Sequence, residues 1–153
     1  MRFLIQRVEK ASVHAEGKLL GEIGKGFLVL IGICEGDTAQ TADRMLKKMM
    51  GLRIFADQEG KTNLSLDQVG GELLLVSQFT LYADCRKGYR PSFVRSGSAQ
   101  SAEELFRYIA GQAAEKMPGV KCGSFGAHMK VSLVNDGPFT ILLDSEELFA
   151  QPK

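Results

Sequence analysis

The sequence predicts a single-domain α/β fold, with mixed, largely antiparallel, barrel-like β-sheets and two main helices packed on one face. Three observations lead there. Two segments place apolar residues at helical spacing, one through Ala42, Met45, Leu46 and Met49, the other through Ala102, Leu105, Phe106, Ile109, Ala110 and Ala113. Around them run seven or eight short apolar stretches separated by glycine-, asparagine- and aspartate-containing turns, the pattern of strands. The 153 residues show no repeat, low-complexity tract or linker, so residues 1–153 read as one domain. A chain of that size buries roughly 68–70% of its unfolded surface around a single core.

The elements follow in order. Phe3 to Val8 and Ser12 to Ala15 alternate as strands, and the turn Glu16, Gly17, Lys18 leads into Leu19 to Ile23 as an antiparallel hairpin. Phe27 to Ile33 is apolar on both alternating faces and predicts a central strand covered on both sides. Asp37 opens a capping-box-like tetrad, which predicts a helix from about Thr38 to Met50 stopped at Gly51. Leu52 to Ala56 reads as a short strand, and residues 57–71 as turns. Leu73 to Val76 runs into Ser77, Gln78, Phe79 and Thr80 as a second buried strand. The second helix is to be capped by Ser101 with Glu104 and ended by Pro118 and Gly119. Val120 to Cys122, Met129 to Val134 and Phe139 to Leu143 complete the strands, the last two joined by a hairpin turn at Asp136 and Gly137.

Composition narrows the function classes. Nineteen basic against eighteen acidic side chains leave a formal charge of +1, too little for strong nonspecific attraction to nucleic acid, so any such contact must be local. The opening residues carry charge where a secretion signal needs an unbroken apolar run, and no stretch has the length of a membrane span. Three widely spaced cysteines without a CxxC pair point to reduced thiols and a cytoplasmic location. His14 and His128 have no metal-ligand spacing to a cysteine or carboxylate, so a zinc site is not expected.

No nucleophile elbow, phosphate-binding loop, dinucleotide fingerprint or zinc-protease motif is present. What remains is the polar cluster Ser77, Gln78 and Thr80 at the end of an apolar strand. Main-chain N–H groups there, free of a ladder, suit a developing oxyanion; a polar strand end is the plainer reading. Thr80 is a nucleophile only if a base activates it, and His128 is the sole histidine downstream. Cys85 beside Arg86 and Lys87 is a further candidate thiol. Arg86, Lys87, Arg90 and Arg95 surround Tyr89 and Phe93 in a stretch free of acids from Cys85 to Ala102. Such a loop suits phosphates and stacked bases, or is simply a solvated basic loop. Gly137-Pro138 can adopt a cis bond at modest cost. Arg7 shares a strand face with Phe3 and Ile5 and needs a partner if that face is buried, which turn carbonyls could supply.

Three segments, Ser77-Gln78-Phe79-Thr80-Leu81, Phe125-Gly126-Ala127-His128-Met129 and Asn135-Asp136-Gly137-Pro138-Phe139-Thr140, together resemble the D-aminoacyl-tRNA deacylases. The resemblance runs over essentially the whole chain, including the Arg7 to Val13 segment. It implies a homodimeric, cytoplasmic proofreading hydrolase that splits the ester between a D-amino acid, or glycine, and the terminal ribose of tRNA, without metal or cofactor. The implied partners are the 3′ end of aminoacyl-tRNA and a second copy of the chain, with no membrane and no DNA. By the same resemblance, Gly137 and Pro138, in cis, enter the partner's pocket formed by Ser77, Gln78, Phe79 and Thr80. Arg7 holds that turn, and Ala102, Phe125 and Met129 line the pocket. N–H groups near Gln78 and Phe79 are expected to bind the oxyanion, with water assisted by the ribose 2′-hydroxyl. The competing readings are a Thr80 or Cys85 hydrolase and a noncatalytic module that binds the tRNA end.

Overall fold

A computed structural model describes residues 1–150. The chain runs β1 (Arg2–Ala15), β2 (Lys18–Ile23), β3 (Gly26–Gly32), α1 (Ala39–Met50), β4 (Arg53–Ala56), β5 (Thr62–Ser65) and β6 (Glu72–Ser77). A 3₁₀ turn (Phe79–Tyr82) follows, then α2 (Ala99–Lys116), β7 (Lys121–Cys122), β8 (Met129–Asp144) and α3 (Ser145–Leu148). The main sheet has the order β2-β1-β3-β6-β7, with β8 along the free edge of β1, while β4 and β5 form a small sheet of their own. Pairing is antiparallel except for β3, β6 and β7, which are parallel neighbours. The sheet curls until β2 approaches β7. Gly21 permits this, because a Cβ there would lie 2.8 Å from Cβ of Lys121.

Two cores explain why the central strands are apolar on both faces. Phe27, Val29 and Ile31 of β3, with Leu73 and Leu75 of β6, face the buried stripes of both helices, Ala42, Met45, Leu46 and Met49 on α1 and Ala102, Phe106, Ile109 and Ala113 on α2. Leu28, Leu74 and Val76 alternate inward, against Val13 and Ile23 inside the barrel. Both helices thus cover one face, as the apolar spacing predicts.

Several local expectations are corrected. The two opening strands are one, β1, which changes partner along one edge: Arg2–Val8 pairs with β3 and Ala11–Ala15 with β2. Glu9 and Lys10 are exposed at that handover, so their polarity marks no break. The two closing strands are likewise one, β8, paired with β1 from Met129 to Asp144. Asp136 and Gly137 therefore do not turn a hairpin. They belong to an outward bulge between Asn135, opposite Val8, and Thr140, opposite Gln6. The side chain of Asn135 closes its base, accepting from the Phe139 N–H at 2.6 Å and donating to Thr140 Oγ1 at 2.9 Å.

Helix starts also differ. Thr38 caps α1, its hydroxyl accepting from the Thr41 N–H at 3.2 Å. Asp37 is instead taken by the Met1 ammonium at 2.8 Å and the Cys34 N–H at 2.8 Å. Ser98 caps α2 by accepting from the Ser101 N–H at 3.2 Å, while Glu104 accepts from the Gln100 amide. Residues 57–71 contain the short strand β5, and the second buried strand ends at Ser77 instead of continuing through Thr80.

Candidate active site

The parallel strands β3, β6 and β7 all end at the same rim, the place where open α/β sheets leave room for a ligand. Beyond Ser77, Gln78 leaves the strand but still donates its N–H to Ile31 O at 2.7 Å, and the chain then tightens into the 3₁₀ turn. The first N–H groups of such a turn have no partner within it. Those of Phe79 and Thr80 meet no acceptor among the described residues. The Gln78 N–H already serves the β3 carbonyl, so the free donors near Gln78 and Phe79 are those of Phe79 and Thr80. Gln78 contributes its side chain instead, whose amide donates to Thr80 Oγ1.

A cleft of about 500 Å³ opens at this rim. One wall carries Ser77, Gln78 and Phe79; the other carries Phe125, Gly126, Ala127, His128 and Met129, from the segment after β7. Ala102, in the first turn of α2, lies between them together with Ser96, Gly97 and Ala99. Phe125 is anchored against Phe106 with ring centroids 6.1 Å apart. Met129 packs over Gly123, where a Cβ would come within 2.6 Å of its sulfur and displace the side chain. The walls are mostly apolar, and His128 is the one titratable side chain among the lining residues.

Two of the alternative chemistries find little support in this geometry. Thr80 is not among the lining residues, and its hydroxyl oxygen faces the Gln78 amide, not a base. Cys85 lies outside the cleft, in a separate hollow with Arg2, Ala83, Asp84, Arg86 and Arg95. There the Arg86 guanidinium is committed to Asp84, and its hydrogen bond holds that carboxyl well below the usual carboxylate range.

Arg7, Gly137 and Pro138 sit elsewhere. Arg7 extends under the β8 bulge, donating to Asp136 O at 2.9 Å and to Ile54 O at 2.5 Å. Its guanidinium carbon lies 4.5 Å from the Phe139 ring centroid. The Gly137-Pro138 bond is cis, and both residues are exposed and absent from the cleft of their own chain. A Cβ at Gly137, with φ +142°, would come 3.2 Å from the Arg7 guanidinium, so the bulge is fitted to the arginine below it.

Ser96, Gly97 and Ala99 escape sequence reasoning. Ser96 and Gly97 are placed by long-range bonds, Gly97 N–H to Ile33 O at 3.0 Å and Ser96 Oγ–H to Phe79 O at 3.2 Å, and the acid-free stretch that contains all three is the sole local signal. Among the described residues, no group of three or more His, Cys, Asp or Glu side chains is arranged to hold a metal ion, and no helix is long and apolar enough to cross a membrane.

Comparison with known proteins identifies the family and the fold. The family model described as D-Tyr-tRNA(Tyr) deacylase matches residues 4–144. Proteins named D-aminoacyl-tRNA deacylase are 49% identical in Clostridium acetobutylicum and 52% identical in Syntrophus aciditrophicus, each match covering 97% of this chain and all of the relative. A third, from Desulfitobacterium hafniense, is 53% identical with the same coverage. Among solved structures, one titled c-Myc DNA Unwinding Element Binding Protein superposes with a TM-score of 0.89 at 37% identity, over 94% of this chain and 98% of that one. Another, titled as a probable eukaryotic D-amino acid tRNA deacylase, shares the fold with a TM-score of 0.81 at 16% identity, over 93% and 97%. A family match over most of the chain, with relatives at about half identity end to end, leads to one conclusion: the chain belongs to the D-Tyr-tRNA(Tyr) deacylase family.

Proposed function

We propose that the cleft hydrolyses the ester joining a D-amino acid, or glycine, to the terminal ribose of tRNA, and spares the L-amino acid. The observation that carries this reading is the unpartnered N–H of Phe79, a residue of the cleft lining, with the unpartnered N–H of Thr80 next to it in the same turn, in a cleft lined by one titratable side chain. Such a site does its chemistry with main-chain dipoles. Two donors aimed at the carbonyl oxygen stabilise the tetrahedral oxyanion, each worth about 2.7–4 kcal/mol in comparable sites. His128 is the one titratable group in the lining; by the family resemblance the substrate's own 2′-hydroxyl is the group that assists the attacking water, which also makes the reaction specific to RNA. Ser77 and the Gln78–Thr80 contact fix the start of the turn, while Ala102, Phe125 and Met129 hold the terminal adenosine and the aminoacyl group. No metal or cofactor enters the scheme.

Selection by handedness needs a rigid group near the substrate Cα. In this reading a second copy of the chain supplies it: the exposed Gly137 and Pro138 enter the partner's cleft and present carbonyls where an L side chain points. A D side chain points away, and glycine has nothing to clash, so the enzyme selects by exclusion without gripping the variable group. Three features favour a homodimer built along β8: its outer edge has no strand partner among the described residues, it exposes Val134 and Leu142, and its bulge is braced by Arg7. The setting is the cytoplasm, where aminoacyl-tRNA is made.

The test is hydrolysis of D-tyrosyl-tRNA by the purified protein, read as released D-tyrosine, beside the same tRNA ending in 2′-deoxyadenosine. The proposal expects turnover of the first and loss of about a hundredfold or more on the second, about 2.7 kcal/mol. Saturable binding without turnover would leave a noncatalytic tRNA-end module, and undiminished cleavage of the deoxy substrate would remove the ribose hydroxyl from the mechanism.

A further inference from the structure

The hairpin after the 3₁₀ turn takes no part in the cleft, yet it is built unlike the rest of the surface. Asp84 and Ser92 close its base with main-chain bonds of 2.7 and 2.9 Å, and residues 85–91 between them are all exposed. Asp84 also accepts the Arg86 N–H at 3.0 Å and its guanidinium at 2.9 and 2.5 Å, which stiffens the ascending side and neutralises one charge. Arg95 is occupied by Glu146 at 3.2 Å. Lys87 and Arg90 make no ion pair among the described residues, and between them lie Gly88 and Tyr89. Gly88 takes φ +64°, a left-handed conformation that L side chains resist, and Tyr89 is fully solvated at 107% relative exposure. A bare aromatic ring between two uncommitted cations contributes nothing to the core. It has the make-up of a stacking platform beside a nucleic-acid backbone.

The hairpin is also fastened to the cleft rim. Phe93 packs edge-on against Phe79 with centroids 5.0 Å apart, and the Ser96 hydroxyl donates to Phe79 O. Phe79 and Ser96 both line the cleft, so the base of the hairpin adjoins its rim. We infer that Lys87, Tyr89 and Arg90 hold the RNA strand just upstream of the aminoacylated end, the two cations on phosphates and the ring stacked on an unpaired base. The inference rests on the reading of the cleft as the seat of the aminoacyl end. With a net charge of only +1, attraction to a polyanion has to be local, and two unpaired cations flanking an exposed ring are such a local site.

The experiment measures anisotropy of a labelled, deacylated acceptor-stem RNA hairpin with an unpaired 3′ tail, over a salt series, with the full chain and three variants. In parallel, kcat/KM is measured on the D-tyrosyl ester of adenosine, which has no upstream phosphate. Lys87→Glu with Arg90→Glu is expected to weaken RNA binding about tenfold or more and to flatten the plot of log Kd against log salt by about one to two. Tyr89→Ala is expected to weaken it about fivefold or more, with Tyr89→Phe restoring it. All variants should cleave the ester within about twofold of the parent, because the hairpin tip lies outside the cleft. Unchanged RNA affinity in the double variant, or an equal loss on the ester, would overturn the inference. Tip-dependent RNA binding by a parent protein inert on every ester would sink the deacylase reading and leave this surface standing.

Discussion

Arg7 shows how much a single side chain can set. It lies at the end of the buried face begun by Phe3 and Ile5, and its charge is matched by two carbonyls, Asp136 O and Ile54 O, by the Asp136 carboxylate at 3.7 Å and by the Phe139 ring. Truncation strands those groups. Arg7→Ala should lower stability by about 1–3 kcal/mol, read from denaturant midpoints. It should also reduce D-tyrosyl-tRNA hydrolysis more than that loss explains, because the bulge it braces is no longer fixed. Thr80 gives the opposite expectation. Its hydroxyl accepts from the Gln78 amide, so Thr80→Val with the fold intact should keep at least about a tenth of the parent kcat, a loss of at most about 1.4 kcal/mol. Abolished turnover would restore the Thr80 nucleophile.

At the scale of elements, the sequence is clear where patterns are local and silent where pairing is distant. The stripes of α1 and α2 and the doubly apolar β3 are legible because burial imposes a period. Helix caps are less so. Asp37 and Thr38, or Ser98 and Ser101, are all competent caps, and the choice falls to tertiary partners such as the Met1 ammonium, which recruits Asp37. The Asn135–Pro138 stretch has turn chemistry, yet nothing local tells a hairpin from a bulge in one strand held by β1. The same limit applies to the site. The polar end of β6 announces Ser77 and Gln78, whereas Ser96, Gly97 and Ala99 reach the cleft only through the folded loop. Close strand approach also yields a prediction. A Cβ at Gly26 would fall 1.9 Å from the Glu72 carbonyl oxygen, so Gly26→Ala should cost about 3 kcal/mol or more in denaturant unfolding, as β3 and β6 are forced apart.

For the whole molecule, the ends of the chain are tied together by an ion pair. Arg2 Nε donates to Asp144 at 2.7 Å, and that carboxylate, 5% exposed, also accepts the Glu146 N–H at the start of α3. Burial alone would raise the Asp144 pKa, but the Arg2 hydrogen bond, the Glu146 N–H and the Arg2 charge outweigh it and hold the group below its ordinary 3.8. A depressed carboxyl stabilises the fold above its unfolded value and loses that contribution as pH falls through the folded one. Asp144→Asn keeps the cap acceptor, so it should be less stable by about 2 kcal/mol at neutral pH, and the two stability curves should converge below pH 3.8.

Assembly makes the larger claim, that two chains share each site. A bulge variant at Pro138 and a cleft variant at Phe79 should each be inactive alone and recover part of the activity when mixed into confirmed heterodimers; no recovery would separate the bulge from the neighbouring cleft. The most direct measurement is kcat/KM of the purified protein on D-tyrosyl, L-tyrosyl and glycyl esters of matched tRNAs. The account predicts cleavage of the D and glycyl esters, with the L ester slower by at least about a hundredfold, or 2.7 kcal/mol. Comparable rates on the mirror-image tyrosyl esters would contradict it.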